Sequence, residues 1–186
     1  MRKIMAFEQV SLDGFFVDAK GDMSWAHKQD EEWNAFTAGN ASGEGALLFG
    51  RKTYEMMASF WPSPMAMQAA PKVAEGMNNL PKFVFSRTLD KASWKNTTVI
   101  KGDLLDSTRK LKEEKGPDLV ILGSGTIVSQ LAEARLIDEF QIIVNSLALG
   151  AGRSLFEGGS KRIDLKLLRT RSFSNGNVIL YYAPAS

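Results

Sequence analysis

The 186-residue chain has no cysteine and a single histidine, His27. Disulfides, thiol nucleophiles, cysteine-bound zinc and iron–sulfur centres are therefore excluded, as is any site built on several imidazoles. Carboxylate-only metal sites stay formally open, and no metal is expected. Charge of one sign is scarce as well. Lys and Arg number 23 against 21 Asp and Glu, a formal net charge of +2, too little to make nucleic acid the expected partner. Long apolar runs are also missing. After Met1-Arg2-Lys3 the run Ile4–Phe7 stops at Glu8, short of the roughly 7–15 residues of an export leader and the roughly 20 of a spanning helix. A cytoplasmic protein working away from membranes is the expectation. An enzyme of this composition would have to draw its reactivity from a cofactor.

The remaining composition is ordinary: 44% hydrophobic, 24% charged, 16 Gly and 6 Pro. It suits one folded domain over residues 1–186. Strand and helix patterns alternate along it. Lys3–Val10 reads as a strand, Ser11–Met23 as a loop punctuated by Asp13-Gly14, and Asp30–Ala38 as a helix with acids in its first turn. Ala46–Phe49, Phe83–Phe85, Thr97–Ile100, Leu119–Leu122 and Glu139–Val144 read as further strands. Helical patterns cover Lys52–Ser59, Met65–Asn79, Leu104–Glu114 and Thr126–Ala134. Asp164–Phe173 and Val178–Tyr182 flank Asn175-Gly176, the signal of a type I′ hairpin turn. The pattern predicts an α/β fold: a mixed, mostly parallel sheet flanked by helices, finished by a C-terminal antiparallel hairpin.

Three predicted strands end suggestively. Ala46–Phe49 runs into Gly50-Arg51-Lys52-Thr53, Phe83–Phe85 into Ser86-Arg87, and Leu119–Leu122 into Gly123-Ser124-Gly125-Thr126. In open α/β sheets, ligands bind beyond the carboxyl ends of strands, and helix N-termini there favour phosphate. Glycine allows close approach, and arginine supplies planar paired donors. Each piece alone is more often a plain turn. Gly45 to Thr53 imitates a P-loop, but its middle is an apolar strand. Gly123-Ser124-Gly125 opens a dinucleotide fingerprint whose third glycine position holds Val128.

Taken in order, Gly50-Arg51-Lys52-Thr53-Tyr54-Glu55, Phe83-Val84-Phe85-Ser86-Arg87 and Ile121-Leu122-Gly123-Ser124-Gly125 resemble dihydrofolate reductase, and Leu136–Phe140 and Gly152–Phe156 continue the match. Ser11-Leu12-Asp13-Gly14 is more similar to the C-terminal reductase domain of riboflavin biosynthesis and its small stand-alone relatives. The resemblance implies a dihydrofolate reductase-like fold that binds NADPH. Gly50, Arg51, Lys52 and Thr53 would hold the pyrophosphate and adenosine side, and Ser86 and Arg87 the 2′-phosphate. Gly123, Ser124, Gly125 and Thr126 would pack on pyrophosphate and nicotinamide. Arg51 with Arg87 favours NADPH over NADH. Asp13 and Trp25 would border the substrate. No deaminase motif stands ahead of these, so the two-activity riboflavin enzyme is not expected.

The resemblance also implies a proton-donating acid on the first helix, for which Asp30 is the first candidate and Glu31 or Glu32 the alternatives. The competing reading is that Asp30, Glu31 and Glu32 simply complement the helix dipole. A relay of Ser24, His27 and Asp30 can be written, but three residues of one turn region do not easily take that geometry. The resulting expectation is an oxidoreductase, similar to dihydrofolate reductase or 5-amino-6-(5-phosphoribosylamino)uracil reductase. It would transfer hydride from NADPH to a C=N or C=O bond of a pteridine-like or pyrimidine-like heterocycle. The alternatives are an NADP-binding regulator or scaffold without turnover, and a structural dimer with a vestigial pocket. Bulky residues Leu165, Leu167, Phe173, Val178, Leu180 and Tyr182 on a terminal hairpin predict a homodimer.

Overall fold

Burial along the first strand sets the plan of the molecule. In the computed structural model, which describes residues 1–26 and 30–185, β1 (Ile4–Ser11) buries Ile4, Ala6, Glu8 and Val10 on one face. Phe7 packs on the other face, against Phe36. β1 is central, so both faces are covered, as in parallel sheets generally. Around it stand β3 (Ala46–Gly50), β4 (Lys82–Phe85), β5 (Thr97–Ile100), β6 (Leu119–Leu122), β7 (Glu139–Asn145), β9 (Leu165–Ser172) and β10 (Val178–Pro184). They form one eight-stranded sheet in the order β5-β4-β3-β6-β1-β7-β10-β9. From β5 to β7 all neighbours are parallel; β10 joins β7, and β9 joins β10, antiparallel. The expected mixed sheet with its closing hairpin is thus present.

Helices α5 (Leu104–Glu113) and α6 (Gly125–Glu133) cover one face, where Leu111, Ile127, Val128 and Leu131 meet Ala6, Leu48 and Ile121. The other face carries α1 (Glu31–Ala41), α2 (Arg51–Phe60) and α4 (Pro71–Asn79). There Tyr54 and Met77 pack on Leu47, Phe49 and Val84, and Trp33 packs on Ile143 and Ile179. β3 is an unbroken apolar run because it is buried on both sides.

Three local expectations are corrected. Met65–Asn79 is not one helix but two, α3 (Pro64–Ala69) and α4, because Pro71 has no amide to continue the ladder and starts a new first turn. The hairpin turn is not type I′. Gly176 alone of Asn175-Gly176 takes positive φ (88°), and its amide donates to the Phe173 carbonyl at 3.0 Å, a type I turn closed by a left-handed glycine. Finally, the Ser11–Met23 segment is not all loop. β2 (Phe15–Asp18) pairs antiparallel with β8 (Gly152–Ser154), a small ribbon beside the main sheet.

Candidate functional site at the strand carboxyl ends

Register brings the predicted strand ends together. Gly50 lies opposite Phe85, Leu48 opposite Ile121, and Phe7 opposite Leu122. The carboxyl ends of β4, β3 and β6 therefore set Ser86-Arg87, Gly50-Arg51 and Gly123-Ser124 side by side, level with Glu8 midway along β1. Gly123 and Ser124 both turn through the left-handed region, with φ of 69° and 68°. For Gly123 this is a requirement twice over: a Cβ would lie 2.9 Å from Thr53 Cγ2. The Ser124 hydroxyl does not cap its own helix but accepts from the Gly50 N–H at 3.0 Å, tying the β3 and β6 loops into one unit.

Helices α2 and α6 both begin at this end without a side-chain cap, whereas α1, α3 and α5 are capped by Asp30, Ser63 and Asp103. Uncapped first turns leave amide donors and the positive dipole end for an anion. Arg51 and Lys52 are exposed in the first turn of α2, Arg51 only 3.8 Å from Glu55 in a loose pair. Thr53 sits half-buried behind them, and Thr126 is exposed on α6. Ser86 accepts from the amides of Thr88 and Leu89 at 3.2 and 2.9 Å, which folds its loop and leaves Arg87 exposed at the rim. A Cβ on Gly125 would press on the Phe16 ring at 3.3 Å, so the ribbon closes over this loop. Two open helix starts, a glycine-lined turn and three exposed cations make a site that fits an anionic dinucleotide.

The residues expected around substrate have architectural partners. Asp13 accepts from Ser11 Oγ at 2.6 Å, from Leu149 N at 3.0 Å and from Gly150 N at 2.7 Å. The Ser11 hydroxyl bond, followed by the two amides, lowers its carboxyl to about 2. Asp13 thereby staples the first loop to the glycine-rich one. Trp25 spends its indole N–H on the Asp22 carbonyl at 3.0 Å. His27 lies outside the described residues. Asp30 caps α1, accepting from Trp33 N at 2.7 Å, while its other oxygen accepts from Ser174 Oγ at 2.9 Å. Glu32 lies below its usual value because it accepts from the Ser174 amide and, next in weight, from Arg171. Together Asp30 and Glu32 moor α1 to the hairpin turn.

One acid escaped the sequence reading. Glu8 is 1% exposed, and neither carboxyl oxygen has a hydrogen-bond partner among the described residues. Burial, the larger influence, pushes its carboxyl well up, and the Gly123 amide pulls the other way. The available signal was the alternation itself, Ile4-Ala6-Glu8-Val10, which puts an acid in an inward register.

A groove of about 720 Å³ opens at the opposite end of the sheet, lined by Gly43, Gly45, Gly76 and Pro117. It lies at the amino ends of β3 and β6, remote from the loops just described. Among the described residues, no His, Cys, Asp or Glu cluster is placed to hold a metal, and no helix is long and apolar enough to cross a membrane.

A family model described as the RibD C-terminal domain matches residues 2–179. YyaP of Bacillus subtilis (strain 168) is 28% identical over 182 residues, 97% of this chain and 94% of its own. Among solved structures, a putative riboflavin biosynthesis protein from Shewanella sp. PV-4 superposes with a TM-score of 0.75 at 23% identity, covering 99% of each chain. The diaminohydroxyphosphoribosylaminopyrimidine deaminase/5-amino-6-(5-phosphoribosylamino)uracil reductase of Thermotoga maritima superposes at 0.69 and 15% identity, over 99% of this chain and 57% of that one. The dihydrofolate reductase of Enterococcus faecalis, complexed with NADP(H) and RAB-propyl, gives 0.66 and 15% identity, over 99% and 97%. The fold is that of dihydrofolate reductase, as the motifs implied.

Proposed function

The chain belongs to the RibD C-terminal domain family, and from that premise we propose that it is an NADPH-dependent reductase of a pyrimidine-like or pteridine-like heterocycle. The observation that carries this reading is the Gly50–Ser124 hydrogen bond, which joins two uncapped helix starts into one anion-binding strand end. The naming of the Thermotoga and Enterococcus proteins supports reduction and NADP(H) as the chemistry and cofactor. Bound NADPH would supply a hydride; the chain supplies position, charge and dryness.

In this reading, the amides around Gly123–Thr126 and the first turn of α2 receive the pyrophosphate. Arg51 and Arg87 flank the 2′-phosphate. Both stay charged at any working pH and offer forked donors that suit a phosphomonoester. The ribbon of β2 and β8, pinned by Asp13, closes one side of the site and excludes water. The left-handed Gly123 allows the β6 loop to lie against Thr53 with no side chain between. Asp30 remains the acid implied by the resemblance, but its capping and Ser174 bonds favour an architectural part. The homodimer is proposed on β9, an edge strand along which Leu167 and Leu168 are each 50% exposed.

The test is turnover. Purified protein is offered NADPH with a panel of dihydropterins and ribosylaminopyrimidines, and loss of reduced nicotinamide is followed by absorbance. Reduction of at least one heterocycle is the expected outcome. NADPH binding with no acceptor reduced would instead favour the regulator or scaffold reading.

A further inference from the structure

Glu8 is a buried acid that the proposed reductase mechanism does not use, and its position is specific. It follows Phe7, whose partner is Leu122, so in register it stands level with Gly123 on one side and opposite Ile142 on the other. Gly123 offers no side chain, Ile142 no polar group. Glu8 shares its face with Ile4, Ala6 and Val10, the face that α6 covers. The carboxyl is thus sealed under the loop whose amides and helix start make the anion site.

The segments packed on this face bring no counter-charge to it. The first turn of α6 carries Thr126, Ile127, Val128 and Ser129, and its one ionisable residue, Glu133, accepts from the amides of Ser160 and Lys161 at its far end. On the ribbon, Asp18 accepts from the amides of Lys20 and Asp22, and Arg153 is exposed. α5 turns Thr108 and Leu111 inward; Asp106, Arg109, Lys110 and Glu113 are exposed, and Lys112 pairs with Asp138. β7 contributes Glu139, which accepts from Gln141 near the strand's other end. A carboxylate at Glu8 would therefore be a buried charge with no cation beside it, beneath the loop that is built to receive the phosphates.

We propose that Glu8 is a positioning residue of the phosphate-binding strand end, neutral whenever a dinucleotide is bound, so that the site takes up ligand and proton together. The proposal rests on the dinucleotide site described above. A neutral acid leaves the dipole of α6 and the amides of Ser124–Thr126 available to the pyrophosphate. An ionised Glu8 competes for that same positive potential and repels the ligand. Burial pushes the Glu8 carboxyl upward, the direction this role requires.

The experiment is the dissociation constant of NADPH, read by tryptophan quenching from about pH 6 to about pH 9, in wild type and Glu8→Gln. Taking the ratio of the two removes the titration of the ligand itself. The ratio should be flat at the acid end. Once the Glu8 midpoint is passed, wild type should weaken by up to about tenfold per pH unit relative to the variant. A ratio constant over the range overturns the proposal. Should Glu8→Gln fail to fold, calorimetry on wild type decides. NADPH binding at a pH above the Glu8 midpoint, in buffers of different ionisation heat, should take up a fraction of a proton approaching one. Binding with no proton uptake overturns the coupling alone. No binding of NADPH to folded protein at any pH overturns the dinucleotide site and the coupling with it.

Discussion

Removing the carboxyl of Asp30 separates a helix cap from a proton donor. Its two oxygens hold the Trp33 amide at 2.7 Å and the Ser174 hydroxyl at 2.9 Å, so Asp30→Ala releases the start of α1 and its mooring to the hairpin. Loss of an N-cap costs about 1 kcal/mol. The half-exposed bond to Ser174 adds about another 1 kcal/mol. In a domain of this length, about 2 kcal/mol lowers the melting temperature by roughly 4–8 °C. Asp30→Asn keeps a good capping oxygen and loses only charge, so it should cost less than about 1 kcal/mol. The assays are thermal unfolding by circular dichroism and, once an acceptor is known, kcat at saturating NADPH. An architectural Asp30 predicts that Asp30→Asn retains kcat within a few-fold while Asp30→Ala melts early. A fall in kcat of about 10²-fold or more in a well-folded Asp30→Asn protein would refute this reasoning and return Asp30 to the role of general acid.

Gly123→Val should abolish NADPH binding and cost about 1–2 kcal/mol, because it places a branched residue at a φ of 69° and a Cβ 2.9 Å from Thr53. Unchanged affinity by fluorescence titration would put the phosphates elsewhere. Arg87→Ala should weaken NADPH about tenfold and leave NADH nearly unaffected, since only the former carries the 2′-phosphate; equal losses would count against the assignment. Asp13 is held at about 2, against an ordinary 3.8. A depressed carboxyl stabilises the fold above its unfolded value, so that contribution should disappear as pH falls from about 4 to about 2. The melting temperature of Asp13→Asn should be flatter across that window than wild type, and identical slopes would contradict the staple. Sedimentation should give a mass of two chains at micromolar concentration; a stable 20.5 kDa species would exclude the edge-strand dimer.

The sheet was legible because its strands declare themselves chemically. Ala46–Phe49 and Leu119–Leu122 are short, wholly apolar runs ending in glycine-bearing turns, and the register that aligns those ends follows from a parallel sheet. Gly50, Arg51, Ser86, Gly123 and Ser124 could therefore be grouped before any contact was known. The β2–β8 ribbon was not legible. Its pairing is short and shifts register between Phe15 and Val17, and Gly152 and its neighbours carry no strand propensity. The role of Asp13 lay hidden for the same reason, because its partners are the amides of Leu149 and Gly150, more than a hundred residues away. The break at Pro71 was passed over because the helical pattern resumes directly after it, and the hairpin turn depended on whether Asn175 would accept positive φ. Glu8 was hidden by habit, since an acid within an alternating strand is ordinarily assigned to the solvent face. Its isolation becomes visible only once α6 covers that register.

A dinucleotide phosphate at the carboxyl ends of β3, β4 and β6 is what the proposed function requires. Amide chemical shifts during an NADPH titration test it most directly. The largest perturbations should fall on Gly50–Thr53, Ser86–Arg87 and Gly123–Thr126, with Glu8 responding beneath them. Perturbations centred instead on Gly43–Gly45 and Gly76, at the groove on the opposite end of the sheet, would contradict it.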